Sequence, residues 1–468
     1  MDFTSKPFVL FLAVVLPLHA LLAWCRASSR TQNALIALSS TALYTLWYPP
    51  GLALLGVNVL VLWGYSHLRL STGHRPWMVA LGVLPPLLLL FVFKYFDFFA
   101  QLLSSSSRLL GLALPVGISF YTFTVVGYVV DLHRRVRPPL TLTQAVVVVG
   151  FWPHLAAGPI LRSRQILGNI RHKAPLTASQ WALAFLLIFG GVAKKVLIAD
   201  NLGAYVNANL AKGVSEMSIL QAGSTLVGFG GQIYADFSGY SDMAIGLALL
   251  LGFRLPANFA HPYRALSLTE FWRRWHISLS QWFRDYVYIP LGGSRVGPKR
   301  GLVNLFLVFV LSGLWHGAGV NFLVWGAIHG AVLIIEKIAT GRRERLPAWL
   351  RWPPWLKWMT TFAVVMLAWA FFRLDVKQAW ALVVHASPFG RWSLSIDSYY
   401  YVLPIWAFLA LLVVEHLAPY YQVDRRGNPV LPTREGARVI NTLVAVGVAF
   451  VLALLLSGRP LPFIYFNF

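Results

Sequence analysis

The chain has 468 residues, of which 57% are hydrophobic and only 12% are charged. An average soluble domain has roughly 25% charged residues, so this composition excludes an ordinary soluble enzyme and predicts a protein that crosses a membrane many times. The single cysteine, Cys25, excludes an internal disulfide, a thiolate zinc site and an iron–sulfur cluster, because each of these needs several thiolates.

The formal net charge is +23, from 39 basic and 16 acidic residues. Loops on the cytoplasmic side of a membrane carry such an excess of basic residues beside anionic lipid. A polyanionic ligand would be attracted as well, but the basic residues lie in short clusters between apolar runs and are not interleaved with aromatic residues. We therefore favour the lipid explanation and expect no nucleic-acid partner.

The first apolar run, Pro7–Trp24, is about long enough to cross the hydrocarbon core of a bilayer. Only Lys6 is basic ahead of it and no small-x-small cleavage site follows, so we expect a retained helix and not a signal peptide. Further apolar runs follow along the chain, at Ala34–Leu46, Leu52–Tyr65, Trp77–Tyr95, Val116–Val130, Trp181–Ile198, Ile219–Ile233, Met243–Leu251, Asn304–Leu314, Val320–Ile335, Trp358–Phe372, Tyr401–Val414 and Ile440–Leu456.

Several of these runs are shorter than the roughly 20 residues that a straight span needs. The sequence therefore predicts an all-α polytopic membrane protein of about eleven transmembrane helices, with re-entrant and interfacial helices in the middle of the chain. It shows no repeat and no linker, so we expect residues 1–468 to form a single membrane domain.

Charge in the early loops predicts the orientation. Arg26 and Arg30 follow the first run and Arg69 and Arg75 follow the third, whereas the loop Trp47–Gly51 after the second is uncharged. Basic loops stay in the cytoplasm, which places the N-terminus outside. From Arg134 onward almost every loop is basic, so charge no longer distinguishes the two sides.

The segment Ser312–Gly319, followed by Ala327–Gly330, joins two apolar runs through a histidine and its glycines. His316 is thus predicted to lie where two membrane helices meet. An ionisable residue in such a place is a functional-site hypothesis by default.

A second histidine lies in Ser267–Pro290, which we predict to be one amphipathic helix with Ser267 and Glu270 as a capping box. His276 is placed with Trp272 on the aromatic side, and Arg273 lies on the other. Such a helix suits the membrane interface or a wet cavity. An isolated histidine among aromatic residues is more often a hydrogen-bonded structural residue, but a second histidine at the His316 junction strengthens the functional interpretation.

Two carboxylates, Asp236 and Asp242, interrupt an otherwise apolar region. Because a charge inside hydrocarbon is costly, we expect them to pair with Arg273, Arg274 or Arg284 and to hold the amphipathic helix in place. A second polar interruption contains Lys194 and Lys195, which could reach the interface or meet an anionic group of a substrate.

The sequence has no His-Glu-x-x-His motif, no Gly-x-Ser-x-Gly elbow and no Walker loop. The spacing of 13 residues between His316 and His329 places no obvious third metal ligand between them, so we expect no metal. Histidine acting as a general base is the simplest remaining enzymatic interpretation, because its ordinary pKa is near 6.5.

Seven motifs in order resemble the membrane-bound O-acyltransferase family, and its bacterial alginate O-acetyltransferase branch in particular. They are Leu114–Phe123, Phe151–Ile160, Lys194–Asn201, Asp236–Asp242, Phe271–His276, Trp315–Gly317 and Phe463–Phe468. The resemblance covers nearly the whole chain. It implies a helical fold with a central funnel, in which a cytoplasmic acyl thioester such as acetyl-CoA or an acyl carrier, used as a co-substrate and not as a bound cofactor, meets a hydroxyl acceptor.

The same resemblance places the invariant histidine of the family on His316 and a second active-site histidine on His276. His329 matches a histidine of the bacterial branch, and Asp236, Asp242, Trp315 and Arg273 belong to motifs that would support the site. It further implies the bacterial inner membrane and periplasmic acetyltransferase partners of a polysaccharide acetylation system. Two alternatives stay open: a D-alanyl or other acyl transferase for a different cell-envelope glycan, and a transporter, which also buries polar residues near the midplane.

Overall fold

A computed structural model describes residues 3–72, 77–103, 109–134, 138–155, 157–171, 173–341, 352–388 and 390, together with 406, 408–410, 412, 421–424, 427–431 and 463. The described chain is mostly helical. Six of its helical segments are long and apolar enough to cross a membrane: Lys6–Trp24, Gly51–Leu68, Trp77–Leu103, Ala178–Ala211, Val320–Thr340 and Pro354–Arg373. The prediction of a multi-pass, all-α membrane protein is therefore confirmed.

The N-terminal third forms one group of helices. These are α1 Lys6–Trp24, α2 Ser29–Trp47, α3 Gly51–Thr72, α4 Trp77–Leu90, α5 Phe96–Leu103, α6 Ile118–Arg134 and α7 Leu142–Gly150. A π-helical turn, Phe91–Tyr95, joins α4 to α5. Helix α6 packs against α3 and α4, and most of its side chains are buried.

The middle of the chain is built around one long helix. It contains α8 Ser163–Arg171, α9 Ala178–Ala193, α10 Asp200–Ala211 and α11 Ile219–Leu250, with a second π-helical turn at Lys194–Ala199. The predicted separate runs Ile219–Ile233 and Met243–Leu251 belong to this one helix, α11, apart from Leu251 just after its end, so dividing them was wrong. The polar segment between them stays helical because its carboxylates find buried lysines as partners.

The C-terminal part contains α12 Leu268–Arg274, α13 Ile277–Phe283, α14 Pro298–His316, α15 Val320–Gly341, α16 Pro354–Arg373 and α17 Val376–His385. A third π-helical turn, Arg284–Tyr288, follows α13. Two short antiparallel strands, β1 Gln422–Val423 and β2 Pro429–Val430, pair Gln422 with Val430. The predicted span Ile440–Leu456 lies outside the described residues, as does most of Tyr401–Val414 and of the motif Phe463–Phe468.

Helices α14 and α15 form the tightest pair of the C-terminal part, and glycine allows their approach. A Cβ atom on Gly313 would lie 2.2 Å from the carbonyl oxygen of Phe322, and one on Gly326 would lie 2.4 Å from that of Phe309. Small residues at such crossings let two backbones come together in a membrane. This crossing fixes the direction in which the last turn of α14 points.

Candidate active site

The last residue of α14 is His316, which lies at the junction of two helices as predicted, although only α15 of the two is among the six segments long and apolar enough to cross a membrane. Gly317 is extended, with φ of −163°, and ends the helix. Helix α15 begins four residues after His316, at Val320. The imidazole is buried, with 3% of the residue exposed, and aromatic rings of Trp315, Trp325 and Phe372 surround it with centroid distances of 4.9 to 5.2 Å.

His276 lies in a break between two short helices, so the prediction of one continuous helix over Ser267–Pro290 was wrong. Helix α12 ends at Arg274, α13 begins at Ile277, and His276 has φ of +41° in the left-handed region. A bulky residue rarely adopts this conformation unless its surroundings hold it there. The predicted start is nearly right: Ser267 Oγ accepts from the Glu270 N–H at 3.1 Å, while the Glu270 carboxylate accepts from Leu266 N–H.

Asn258 holds the start of α13. Its carbonyl oxygen accepts a hydrogen bond from Ile277 N–H at 2.9 Å, and its Oδ1 accepts from the Ser278 hydroxyl at 2.7 Å and from Ser278 N–H at 3.3 Å. Asn258 Nδ2 donates to Ser241 Oγ on α11 at 3.3 Å. These hydrogen bonds stabilise the break between α12 and α13. The His276 side chain therefore has a different direction from the one it would have in a continuous helix.

The break brings His276 to His316. Their ring centroids are 6.4 Å apart, and the Trp315 ring lies 6.0 Å from His276. His276 is fully buried, and its ring centroid lies 4.6 Å from that of Phe237, with the two rings nearly perpendicular. Neither ring nitrogen of His276 has a hydrogen-bond partner among the described residues. A buried polar group of this kind is expected to have a partner, so the two nitrogens are available to a ligand.

His329 lies behind this pair and not between its members. Trp325 separates it from His316, with centroid distances of 5.2 Å to His316 and 4.8 Å to His329. Trp272 covers its other side at 5.1 Å. His329 is thus part of the same aromatic cluster, and its ring nitrogens also lack hydrogen-bond partners within the described part of the chain.

The two predicted supporting carboxylates pair with lysines, so their expected pairing with Arg273, Arg274 or Arg284 was wrong. Lys195 Nζ lies 3.0 Å from Asp236 and 2.9 Å from Asp200, and Lys194 Nζ lies 3.2 Å from Asp242. The lysines stand on the π-helical turn that packs against α11. The two lysines are buried and paired with these carboxylates. The expectation that the lysines reach the interface or an anionic group of a substrate was therefore wrong.

The arginines have other partners. Arg274 pairs with Glu270 within α12, and Arg284 Nε lies 2.7 Å from the adjacent Asp285. Arg273 is exposed, and it lines a cavity. His276 therefore contacts α11 through the ring of Phe237, and α13 is linked to α11 through Asn258. The predicted carboxylate–arginine clamp is not among the contacts of the described residues.

A cavity of about 430 Å³ runs between the broken helix and the pair α14–α15. Its lining is mainly apolar, and its charged residues, Arg273, Arg284 and Lys337, are all basic. Ser312 is one of its lining residues and stands one helical turn before His316 on the same face of α14, while neither His276 nor His316 is itself part of the lining. The cavity thus follows the helix face that leads to His316. Among the described residues no group of three His, Cys, Asp or Glu side chains is placed to hold a metal ion.

Lys94 is a residue of the site that sequence reasoning missed. Its Nζ donates to the carbonyl oxygen of Trp315 at 2.7 Å and of His316 at 3.3 Å. The apolar run Trp77–Tyr95 contains this lysine near its end, and a lone charge within a span is the signal that could have drawn attention to it.

Comparisons with known proteins agree with these features. The family model of the membrane-bound O-acyltransferases matches residues 149–376. The chain is 39% identical over 413 residues to the probable alginate O-acetylase of Pseudomonas aeruginosa, an alignment that covers 84% of this chain and 76% of that protein. It is 34% identical to the peptidoglycan O-acetyltransferase of Helicobacter pylori, over 72% of this chain and 70% of that one. The teichoic acid D-alanyltransferase of Streptococcus thermophilus is 28% identical, over 68% and 81%.

Proposed function

Because the chain belongs to the membrane-bound O-acyltransferase family, we propose that it moves acetyl groups from a cytoplasmic thioester across the membrane for O-acetylation of an exopolysaccharide such as alginate. The O-acyltransferase class follows from the family and from the acetyltransferase relatives. The acetyl group and the polysaccharide are the parts we propose, and the similarity to alginate O-acetylases over 84% of the chain supports both.

The observation that carries the proposal is the pair His276 and His316, with ring centroids 6.4 Å apart in a buried aromatic cluster. We assign His316 as the general base that accepts the proton of the acceptor hydroxyl. The hydroxyl oxygen then bonds to the thioester carbonyl carbon, the carbon–sulfur bond breaks, and the His316 imidazolium protonates the leaving thiolate. His276 orients the reactants or donates a hydrogen bond to the oxyanion, a contribution worth about 3 kcal/mol.

The cavity along α14 is the proposed site of the acyl donor. Its volume of about 430 Å³ lies within the range of small-molecule pockets. An apolar passage suits the pantetheine arm of a donor, and the basic residues Arg273, Arg284 and Lys337 suit its phosphates. In this proposal the thioester lies near Ser312, one helical turn from His316. Burial of the histidines also keeps water from the thioester.

The wider arrangement is proposed from the family resemblance. It comprises about eleven spans, a central funnel, a single domain over residues 1–468, the bacterial inner membrane and periplasmic acetyltransferase partners that receive the acyl group. His329, Asp236, Asp242 and Trp315 take supporting roles: His329 and Trp315 shape the aromatic cluster, and the two carboxylates pair with the lysines that pack on α11.

A second candidate function is transfer of a D-alanyl group. The 28% identity to a teichoic acid D-alanyltransferase over 68% of the chain supports it. Both reactions attack a thioester with a hydroxyl, so the same histidines would serve either. The donor distinguishes the two functions.

The test is acyl transfer by the purified full-length protein in nanodiscs, with radiolabelled acetyl-CoA and, separately, a D-alanyl carrier thioester. Wild type is compared with His316→Ala, His276→Ala and the control His19→Ala, which removes a buried histidine on α1. We expect wild type and His19→Ala to consume acetyl-CoA. We expect His316→Ala to lose at least about 1,000-fold in kcat, because this variant lacks both the general base and the imidazolium that protonates the leaving thiolate.

Three outcomes would count against the proposal. Full activity in a folded His316→Ala would refute the assignment of the base. Consumption of the D-alanyl thioester alone would replace the acetyl proposal by the second candidate. Absence of turnover with both thioesters, also after addition of membranes that contain the acetylation partners, would refute the proposed donors.

A further inference from the structure

Lys94 is a charged residue inside a membrane span. It lies in the segment Trp77–Leu103, and its side chain reaches α14, more than 200 residues further along the chain. No carboxylate of the described residues lies within ion-pair distance of it. An uncompensated ammonium in a span is costly and marks functional sites by default, so its contacts call for a specific role.

The partners of Lys94 are carbonyl groups at the end of the helix that carries His316. Its Nζ donates to the carbonyl oxygens of Trp315 at 2.7 Å and His316 at 3.3 Å, and to Ser119 Oγ at 3.4 Å. The hydroxyl of the neighbouring Tyr95 donates to the carbonyl oxygen of Leu314 at 3.1 Å. The last carbonyl groups of a helix have no partner within it. Here two consecutive side chains of another span supply partners for three of them.

Two further features support a dedicated contact. Lys94 and Tyr95 belong to the π-helical turn Phe91–Tyr95, and π-helical turns are rare and occur frequently at functional sites. A cation at a helix C-terminus also interacts favourably with the helix dipole. The π-helical turn therefore contacts the last turn of α14, whose final residue is the proposed base, and the Lys94 ammonium lies at the negative end of that helix.

We propose that Lys94 is a positioning residue for His316: its ammonium ties the carbonyl end of α14 to the π-helical turn of the neighbouring span and so holds the imidazole beside His276. Tyr95 assists through the carbonyl of Leu314. This inference rests on the proposed role of His316. It assigns Lys94 no contact with the substrate, and therefore predicts a change in turnover and not in donor binding.

The test compares full-length wild type, Lys94→Met, Lys94→Arg and Tyr95→Phe in nanodiscs, with His316→Ala in parallel. Hydrogen bonds from a charged donor are worth a factor of about 10 to 100, so we expect a kcat loss of that size in Lys94→Met with an unchanged KM for acetyl-CoA. Lys94→Arg keeps the charge and the donors and should recover most of the kcat. Tyr95→Phe, which loses one hydrogen bond, should lose about fivefold.

Hydrogen exchange of the peptide that spans residues 313–321 gives a readout that needs no turnover. Faster exchange in Lys94→Met than in Lys94→Arg supports the tie to α14. Equal exchange and equal kcat in wild type and Lys94→Met, or a loss confined to KM, would overturn the inference. If Lys94→Met does not fold, an unchanged kcat in Tyr95→Phe overturns it. Inactivity of wild type itself would count against the proposed function only, because the exchange experiment still decides the role of Lys94.

Discussion

At the scale of single residues, the described part of the site combines buried imidazole rings with carboxylates that are already paired with lysines. Neither His276 nor His329 has a hydrogen-bond partner for its ring nitrogens within the described chain, and the carboxylates Asp236 and Asp242 are paired with lysines. The Ser-His-Asp arrangement orients its histidine with a carboxylate. Aromatic rings pack on His276 and His316, and each of the two residues lies at a helix end, so the helix ends contribute to the position of each imidazole.

His276→Asn tests what the second histidine contributes. If His276 only orients reactants or donates a hydrogen bond to the oxyanion, an amide N–H can replace it in part, and asparagine tolerates the left-handed backbone at φ of +41° better than most residues. We expect His276→Asn to retain about a tenth of the wild-type kcat and His276→Ala about a hundredth, the usual loss for one oxyanion donor.

The measurement is kcat with radiolabelled acetyl-CoA at saturation, with melting temperatures for both variants to show that they fold. Equal losses in the two variants would show that His276 acts through its imidazole as an acid or base. The comparison therefore separates hydrogen bonding from proton transfer at this position.

The residues of the site differ in how well the sequence predicts them. His316 and His276 stand out because histidine is rare in apolar segments and because the surrounding motifs resemble a known family. The sequence places both lysines and arginines far along the chain from Asp236 and Asp242, and it does not indicate which of them pair with these carboxylates. Lys94 was missed because its partners are backbone carbonyls, which leave no trace in residue types.

At the scale of elements, the broken helix α12–α13 shows where periodicity misleads. Apolar residues continue at helical spacing on both sides of the break, and neither glycine nor proline marks it. The residue that stabilises the break, Asn258, lies 18 positions before His276 and contacts the backbone of α13. The residue pattern of one segment contains no information on a hydrogen bond from another segment. The sequence could therefore predict that this segment is helical, but not that the helix is broken at His276.

Asn258→Leu is the matching prediction. The substitution removes the acceptor of two hydrogen bonds from Ser278 and the donor to Ser241, while the backbone bond to Ile277 N–H is kept. Buried groups left without partners cost about 1–3 kcal/mol each. We expect a lower free energy of unfolding by about 2–4 kcal/mol and a loss of kcat, because the position of His276 is no longer fixed.

Asn201→Leu is the control, because Asn201 is exposed and does not hold a helix break. Its side-chain amide donates to the carbonyl oxygens of Val196 and Leu197 in the preceding turn. Denaturation in mild detergent and initial rates are the two measurements. A rate for Asn258→Leu equal to that of the control would show that the break does not depend on this amide.

At the scale of the whole molecule, α6 relates the histidines to the cavity mouth, by which we mean the part of the lining with the exposed basic residues Arg284 and Lys337. Ser119 in its first turn contacts Lys94 and so lies beside the His316 end of α14. Arg134, its last residue, lies 5.9 Å from the ring of Tyr286, in the π-helical turn that also contains Arg284 of the cavity. Helix α6 has 17 residues and is about 25 Å long. The cavity mouth and the two histidines therefore lie near opposite ends of α6.

This arrangement can be joined to the orientation predicted from loop charge. With the N-terminus outside and the basic loops in the cytoplasm, α6 runs inward and ends at Arg134 on the cytoplasmic side. The basic cavity mouth with Arg284 and Lys337 then faces the cytoplasm, and the pair His276 and His316 lies nearer the outer surface. A cytoplasmic donor would then deliver its acyl group towards the side on which the proposed periplasmic partner would work.

Cysteine labelling in spheroplasts tests that orientation. In a Cys25→Ser background, which removes the one native cysteine, Pro50→Cys reports the exposed loop after α2 and Lys337→Cys reports the cavity mouth. We expect a membrane-impermeant maleimide to label Pro50→Cys in intact spheroplasts and Lys337→Cys only after permeabilisation, when acetyl-CoA should slow the labelling by occupying the cavity. Labelling of Lys337→Cys in intact spheroplasts would reverse the proposed direction of transfer, since the mouth would then open to the side that lacks the donor.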